Sequence, residues 1–325
     1  MIKNYMIKIF EDQLQNEQVK AYLDFASKIL PLIDMIINAD ISLTSTECLN
    51  INDKPFTYAN SYIERKHPNY TSELFQMWNT GRIHIANYKS DNASCDSYTG
   101  DIWLGLNETI LDDLYLVHEF FHHQNLIPIN DNSVKKEGFT RELFGESISI
   151  MSQLDFINDM PDDELRVDSK TLEIDYINDC SNSAKKIKVE LALIDIYKIN
   201  GTLTEELIQN YILNCENSSL AILIREEYDQ VIRDISSWGA NLKIPFNLKY
   251  VLGVVFGYYL ADLINKKPNK WYDIYEINKT FYDIDVDEFL DKVEIDFSNP
   301  VLLSKYMERY NELKQEFLNK GTLKS

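Results

Sequence analysis

The sequence predicts a mainly α protein with a small antiparallel β-sheet, an α+β chain in which helices dominate. Three observations carry this expectation. Turn-forming residues are scarce, with 10 Gly and 8 Pro in 325 residues, which favours long helices over many short strands. Hydrophobic residues make up 45% of the chain and aromatics 12%, enough for a sizeable core and too much for global disorder. Apolar residues recur at helical spacing along most of the chain, and only two short stretches alternate instead.

Taken in order, residues 5–40 read as helix. Ile7, Phe10, Leu14, Val19, Tyr22, Leu23 and Phe25 fall near helical spacing, and Pro31 marks a break or a new start. Residues 41–70 are rich in Asn, Thr and Ser, so part of this stretch is expected to be loop. Arg82–Tyr88 and Asp101–Leu106 alternate, with the polar Lys89–Gly100 between them. They read as two antiparallel strands with a long connection. From about Glu108 the helical period returns. Leu111–Asn125 and Phe139–Phe156 read as helices separated by loop signals at Pro128–Gly138. Further breaks fall at Asn158–Pro161, Asn200-Gly201, Trp238–Pro245 and Lys266–Asn269.

Charge narrows the function classes. Lys+Arg is 32 and Asp+Glu is 52, a formal net charge of −20. Such a chain is repelled by nucleic-acid phosphates and by anionic membrane surfaces, so neither is an expected partner. Cys48, Cys95, Cys180 and Cys215 are widely spaced and form no C-x-x-C pair, which excludes a disulfide scaffold and a cysteine-based zinc site. Met1–Tyr5 is followed by Glu11, Asp12 and Gln13, with no apolar core of the signal-peptide type. The longest apolar run, Tyr250–Ile264, is short for a membrane span and contains Asp262. A cytoplasmic location is expected, although export by a signal-independent route leaves the same features.

One motif bears chemistry: His118-Glu119-Phe120-Phe121-His122, an H-E-x-x-H within the helix over Leu111–Asn125. Residues i and i+4 share a helical face, so His118 and His122 can aim their imidazoles at one metal. Glu119 lies beside that face, where it can take a proton from a metal-bound water without being a ligand. Histidine is rare here, 5 in the chain, and a chance match in one such chain is roughly a one-in-a-hundred event. Zinc suits imidazole and carboxylate ligands, and a catalytic site needs a third protein ligand. Glu142 and Glu146, one turn apart in the next helix, both qualify. No histidine follows His123, so an all-histidine site is excluded and a His₂Glu site, one zinc per chain, is expected. With no internal repeat and no linker, the chain is read as one metallopeptidase-like domain over 1–325. It comprises an N-terminal helical and strand part (1–95), a zinc-binding core (96–160) and a helical C-terminal part (161–325).

Three segments resemble the thimet oligopeptidase and oligoendopeptidase F family of zinc peptidases. Ile102-Trp103-Leu104-Gly105-Leu106-Asn107 followed by Leu111–Glu119 is similar to the family's strand, turn and "-TLVHE-" helix. Phe144-Gly145-Glu146-Ser147-Ile148-Ser149 is similar to its "F-A-E-x-x-S" helix, whose Glu is the third zinc ligand, and this favours Glu146 over Glu142. Pro245-Phe246 and Lys249-Tyr250-Val251-Leu252-Gly253 are similar to its "P-F-Y…K-Y-A-x-G" helix. The family motif H-E-x-G-H-x-x-H is not kept throughout: Phe121 stands at the Gly position and Asn125 at the last His.

The resemblance implies a gluzincin: a zincin-like core with a helical C-terminal part that hydrolyses peptide or protein substrates. His118, His122 and Glu146 would hold zinc, with Glu119 as general base. The family's later histidine is missing, so Tyr250 is the first candidate to donate a hydrogen bond to the oxyanion, with Tyr258 or Tyr259 next. The strand Asp101–Leu106 is expected at the sheet edge beside the cleft, where an extended peptide could pair with it. Gln153, Asp155 and Ser149 are all placed to support the zinc ligands. Gly253 and Gly257 form a G-x-x-x-G that lets another helix approach closely. The missing histidine also motivates an alternative: a pseudo-peptidase that acts as a helical protein- or peptide-binding module.

Overall fold

Helices dominate the structure, as the scarcity of glycine and proline requires. This computed structural model describes residues 2–13, 25–26, 28–39, 55–86, 93–96, 99–126, 139–160, 163–237, 246–271, 273–274, 286–292 and 301–322. In chain order the elements are α1 (Ile2–Gln13), α2 (Leu30–Asn38), α3 (Thr57–Lys66), α4 (Pro68–Thr80), β1 (Ile83–Ile85), β2 (Ala93–Cys95) and β3 (Ile102–Leu104). Then follow α5 (Ile110–Leu126), α6 (Phe139–Asp159), α7 (Asp163–Asn200), α8 (Glu205–Asn214), α9 (Ser218–Ser237), α10 (Phe246–Lys266), α11 (Val286–Lys292) and α12 (Val301–Thr322). No helix among the described residues is long and apolar enough to cross a membrane.

Local chemistry sets several boundaries. Pro31 stands in the first turn of α2, a new start where its missing N–H costs nothing. Pro68 does the same for α4, which ends at Gly81 in the left-handed region (φ 70°). The segment expected to be partly loop therefore holds all of α3 and the start of α4; Thr57, Ser61 and Glu64 are exposed while Ala59, Tyr62, Ile63 and Tyr70 are buried. The Thr204 hydroxyl caps α8 by accepting from the Leu207 N–H at 3.2 Å, with Glu205 and Glu206 beside the positive helix end. The loop expected at Pro128–Gly138 falls outside the described residues from 127 on, as does that at Trp238–Pro245.

The sheet differs from expectation. The two anticipated strands are β1 and β3, and they pair in parallel, His84 opposite Trp103. A third strand, β2, lies in the polar connection between them and runs antiparallel to β3, with Ser94 opposite Trp103. The order is β1-β3-β2, a mixed sheet rather than an antiparallel one. The connection is long enough for the chain to reverse twice, so β3 returns in the direction of β1 and takes the centre. Strand β2 is three residues long and shows no run of large apolar residues, which is why alternation does not reveal it.

Contacts divide the chain into two units, each built from separated stretches. One comprises Met1–Ser42 with Asn178–Val251. Its core joins Ile7 and Phe10 of α1 to Val189, Leu193 and Ile196 of α7 and to Ile208, Ile224 and Val231 of α8 and α9. Glu11 ties α1 to the turn after α7 by accepting from the Leu203 N–H at 2.6 Å and the Thr202 hydroxyl at 2.8 Å. The other unit comprises Leu43–Ile177 with Leu252–Ser325 and contains the sheet and the H-E-x-x-H helix. There α5 packs against β2, β3 and α6. Leu114, Val117, Phe120 and Phe121 of α5 are all fully buried, so this helix is enclosed and its orientation is set by packing on several sides.

Candidate metal centre

The chain turns sharply from β3 into α5, and the turn is fixed by the helix itself. The Asp112 carboxylate accepts from the Asn107 N–H at 2.9 Å and the Glu108 N–H at 2.8 Å. Glu108 sits in the left-handed region at φ 60°, a strained position for a residue with a side chain that such hydrogen bonds hold in place. Burial raises the Asp112 pKa, against these backbone donors, which lower it. The second acid of this turn, Asp113, reaches the other way. It accepts from the Ala59 N–H at 2.8 Å and so caps the start of α3. Two adjacent acids thus lock the H-E-x-x-H helix to the sheet on one side and to α3 on the other.

Farther along α5, His118 and His122 stand one turn apart, rings 4.6 Å between centroids and inclined at 75°. Their Nε2 atoms are 2.9 Å apart. Glu146, from the packed helix α6, brings Oε2 to 3.3 Å from His118 Nε2 and 3.4 Å from His122 Nε2. The side chains are partly to mostly buried, at 13%, 21% and 10% exposure respectively. Among the described residues these three form a group able to hold a metal, with ligand atoms within 4.8 Å of one another. The geometry fits zinc: bonds of about 2.0–2.1 Å in a tetrahedron separate ligand atoms by about 3.3 Å. Burial opposes the charged form of His118, but the carboxylates of Glu146 and Glu119 outweigh it and raise its pKa. Glu119 is itself buried, at 6% exposure.

The rest of α6 supports this arrangement. Gln153 is two turns beyond Glu146 on the same face. Its Oε1 lies 2.8 Å from His118 Nδ1, and its Nε2 donates to the Leu114 carbonyl at 2.8 Å. The Tyr176 hydroxyl of α7 donates to the same Oε1. Burial raises the Tyr176 pKa well above its ordinary value, aided by Tyr115 and the Glu146 charge, so it stays a donor. The other two anticipated supports are elsewhere: Asp155 accepts from the Tyr62 hydroxyl at 2.7 Å, and the buried Ser149 hydroxyl has no hydrogen-bond partner among the described residues. Tyr176 was not among the sequence candidates. It lies on a separate helix and carries no motif.

The glycines at the back of the site behave as their spacing predicts. A Cβ at Gly253 of α10 would fall 2.6 Å from Glu146 Cβ, and one at Gly257 would fall 2.5 Å from Ile150 Cγ2. The backbone of α10 therefore lies directly against the turn of α6 that carries Glu146. The Glu142 side chain lies outside the described residues. Tyr258 is buried and donates to Glu173 at 3.2 Å. Tyr250 belongs to the first unit, with the Lys249 ammonium 4.9 Å above its ring.

Strand β2, like β3, packs against α5, the helix of the motif. Burial raises the pKa of its Cys95 thiol, and the charge of Glu119 adds to the rise. Strand β3, expected at the sheet edge, is the central strand; β1 and β2 are the edges among the described residues.

No protein-family model matches the chain, and no curated protein matches it significantly. Among solved structures, it is similar to a Bacillus anthracis (strain Ames) protein that carries the provisional name oligoendopeptidase F, with a TM-score of 0.49 and 13% identity. The likeness covers 92% of this chain and 56% of that one, so the chain spans a little over half the length of that protein.

Proposed function

We propose that the chain is a zinc-dependent peptidase of the gluzincin type, with His118, His122 and Glu146 as ligands and Glu119 as general base. The observation that carries this reading is the convergence of two imidazole nitrogens and one carboxylate oxygen at a buried point. The motif supplies Glu119 next to one of those ligands. Bound there, zinc supplies Lewis acidity and lowers the pKa of a water toward neutrality. Glu119, beside the ligands, would then serve as general base toward the attacking water and pass the proton on to the leaving amine. For the oxyanion, Tyr250 is proposed as donor on the resemblance alone. An extended substrate would pair with β2 rather than β3, because β2 is an edge strand that packs against α5. Main-chain pairing of that kind asks little of the substrate's side chains.

Zinc content and peptide hydrolysis test the proposal together. The wild type is expected to carry about one zinc per chain, Glu146→Ala to lose it, and Glu119→Gln to keep it while turnover of an unstructured peptide falls about 10²–10⁴-fold. No zinc in the reconstituted wild type overturns the reading. Zinc bound with no hydrolysis that depends on Glu119 leaves the binding-module alternative instead.

A further inference from the structure

We infer that Gln153, clamped by the Leu114 carbonyl and the Tyr176 hydroxyl, is a positioning residue that fixes His118 in its Nδ1–H tautomer and so presents the Nε2 lone pair to a metal. This rests on the zinc reading for its purpose, but the hydrogen bonds stand without it. Gln153 is fully buried, so each of its polar atoms needs a partner of the right kind. Its Nε2 donates to the Leu114 carbonyl at 2.8 Å. A carbonyl can only accept, which settles the amide orientation and turns Oε1 toward His118. That oxygen already accepts from Tyr176. At 2.8 Å from it, His118 Nδ1 must bring a proton, because a lone pair there would face the oxygen's own lone pairs. For the neutral ring, the form that binds a metal, the tautomer follows: Nδ1 carries the hydrogen, and Nε2, the atom 3.3 Å from Glu146 Oε2, is left to bind.

The choice of an amide has its own reason. Leu114 and His118 are one turn apart on α5, so Gln153 holds the backbone and the side chain of a single helical turn. A carboxylate at this position could accept from His118 and Tyr176 but would press its second oxygen against the Leu114 carbonyl. Glutamine alone among residues of this length accepts on one side and donates on the other. The support is therefore neutral, and the negative charge at the centre comes from Glu146 and Glu119. Three helices meet in the clamp: α5 gives the ligand, α6 the amide and α7 the tyrosine.

The test reads the tautomer and the metal separately, in the full-length chain. Long-range ¹H–¹⁵N imidazole spectra at alkaline pH, with zinc removed by chelator, are expected to show His118 with a protonated Nδ1 and a bare Nε2. In Gln153→Ala that preference is lost, and zinc affinity measured against a competing chelator falls about 10–100-fold. Tyr176→Phe, which leaves the packing nearly intact and guards against misfolding of the first variant, gives a smaller fall in the same direction. Gln153→Glu does not restore the affinity. A wild-type His118 protonated at Nε2 overturns the inference, as does unchanged zinc affinity in both Gln153→Ala and Tyr176→Phe. A wild type that binds no zinc overturns the peptidase reading instead, while the tautomer spectrum still decides this one.

Discussion

Two buried groups of the second unit pull its stability in opposite directions with pH. Asp113 is fully buried, and its pKa is pushed up to about 7, chiefly by that burial, against the backbone N–H of Ala59. Its native state holds a proton that the unfolded chain releases at ordinary carboxylate pH, so it favours folding below about pH 4 and loses that contribution as pH rises to 7. His67 is 3% exposed and its pKa falls to about 3, again chiefly by burial. It packs among aromatic rings, with its ring centroid 4.5 Å from that of Trp271 and 5.3 Å from that of Phe121. Its native state excludes a proton that the unfolded chain takes up, so its contribution is present above about pH 6.5 and is lost as pH falls toward 3. Across pH 4–6.5 the two offset, each worth on the order of 4 kcal/mol. Asp113→Asn is therefore expected to make stability climb with pH in that window, and His67→Phe to make it decline. Urea unfolding with chelator present at several pH values reads both slopes, and equal slopes in the two variants would refute the account.

Between elements, the closest approach is that of α10 to α6. Gly253 and Gly257 meet Glu146 and Ile150, and neither neighbour offers a flexible end to move aside: the nearest atoms are a Cβ and the branched end of isoleucine. An added methyl must push the helices apart. Each Gly→Ala variant is expected to destabilise the fold by about 1–3 kcal/mol through overpacking. On the proposed zinc reading, only Gly253→Ala should also weaken zinc binding, because it displaces the turn that carries Glu146, whereas Ile150 is outside the proposed ligand set. Thermal unfolding and metal competition on the pair separate the two effects. Wild-type zinc affinity in Gly253→Ala would show that the contact does not set the ligand. The G-x-x-x-G was legible because two glycines four apart mark one helix face. Its partner was not, since nothing in the spacing names the helix that comes close.

At the scale of the whole chain, the C-terminal helix is anchored to a segment far away in sequence. Arg309 of α12 grips Glu173 of α7 with two hydrogen bonds of 2.6 Å. Glu173 also accepts from Tyr258 and is only 2% exposed. Breaking such a pair leaves a charge stranded in a poorly solvated place. Arg309→Met is expected to cost about 3–5 kcal/mol in urea unfolding, with most of it recovered when Glu173→Gln is added. A cost of the same size in the double variant would mean that lost packing, not the stranded charge, is responsible. Glu173 lies one turn before Tyr176, so this anchor and the clamp on His118 share one stretch of α7.

The sequence by itself determined the helical character and the H-E-x-x-H face, and it raised the expectation of a carboxylate ligand, because each is a local matter. Helical period, i and i+4 spacing and the scarcity of histidine are written within a few turns of chain. Glu146 was legible only through resemblance, and its neighbour Glu142 was equally plausible on spacing. The sheet was half legible: β1 and β3 announce themselves by alternation, while β2 and the directions of pairing depend on how a polar connection folds back. Tertiary structure alone chose Gln153 over Asp155 and Ser149, recruited Tyr176 and tied Tyr258 to Glu173. These side chains take their roles from hydrogen bonds between helices far apart in sequence, and such bonds leave no periodic trace in the chain that makes them.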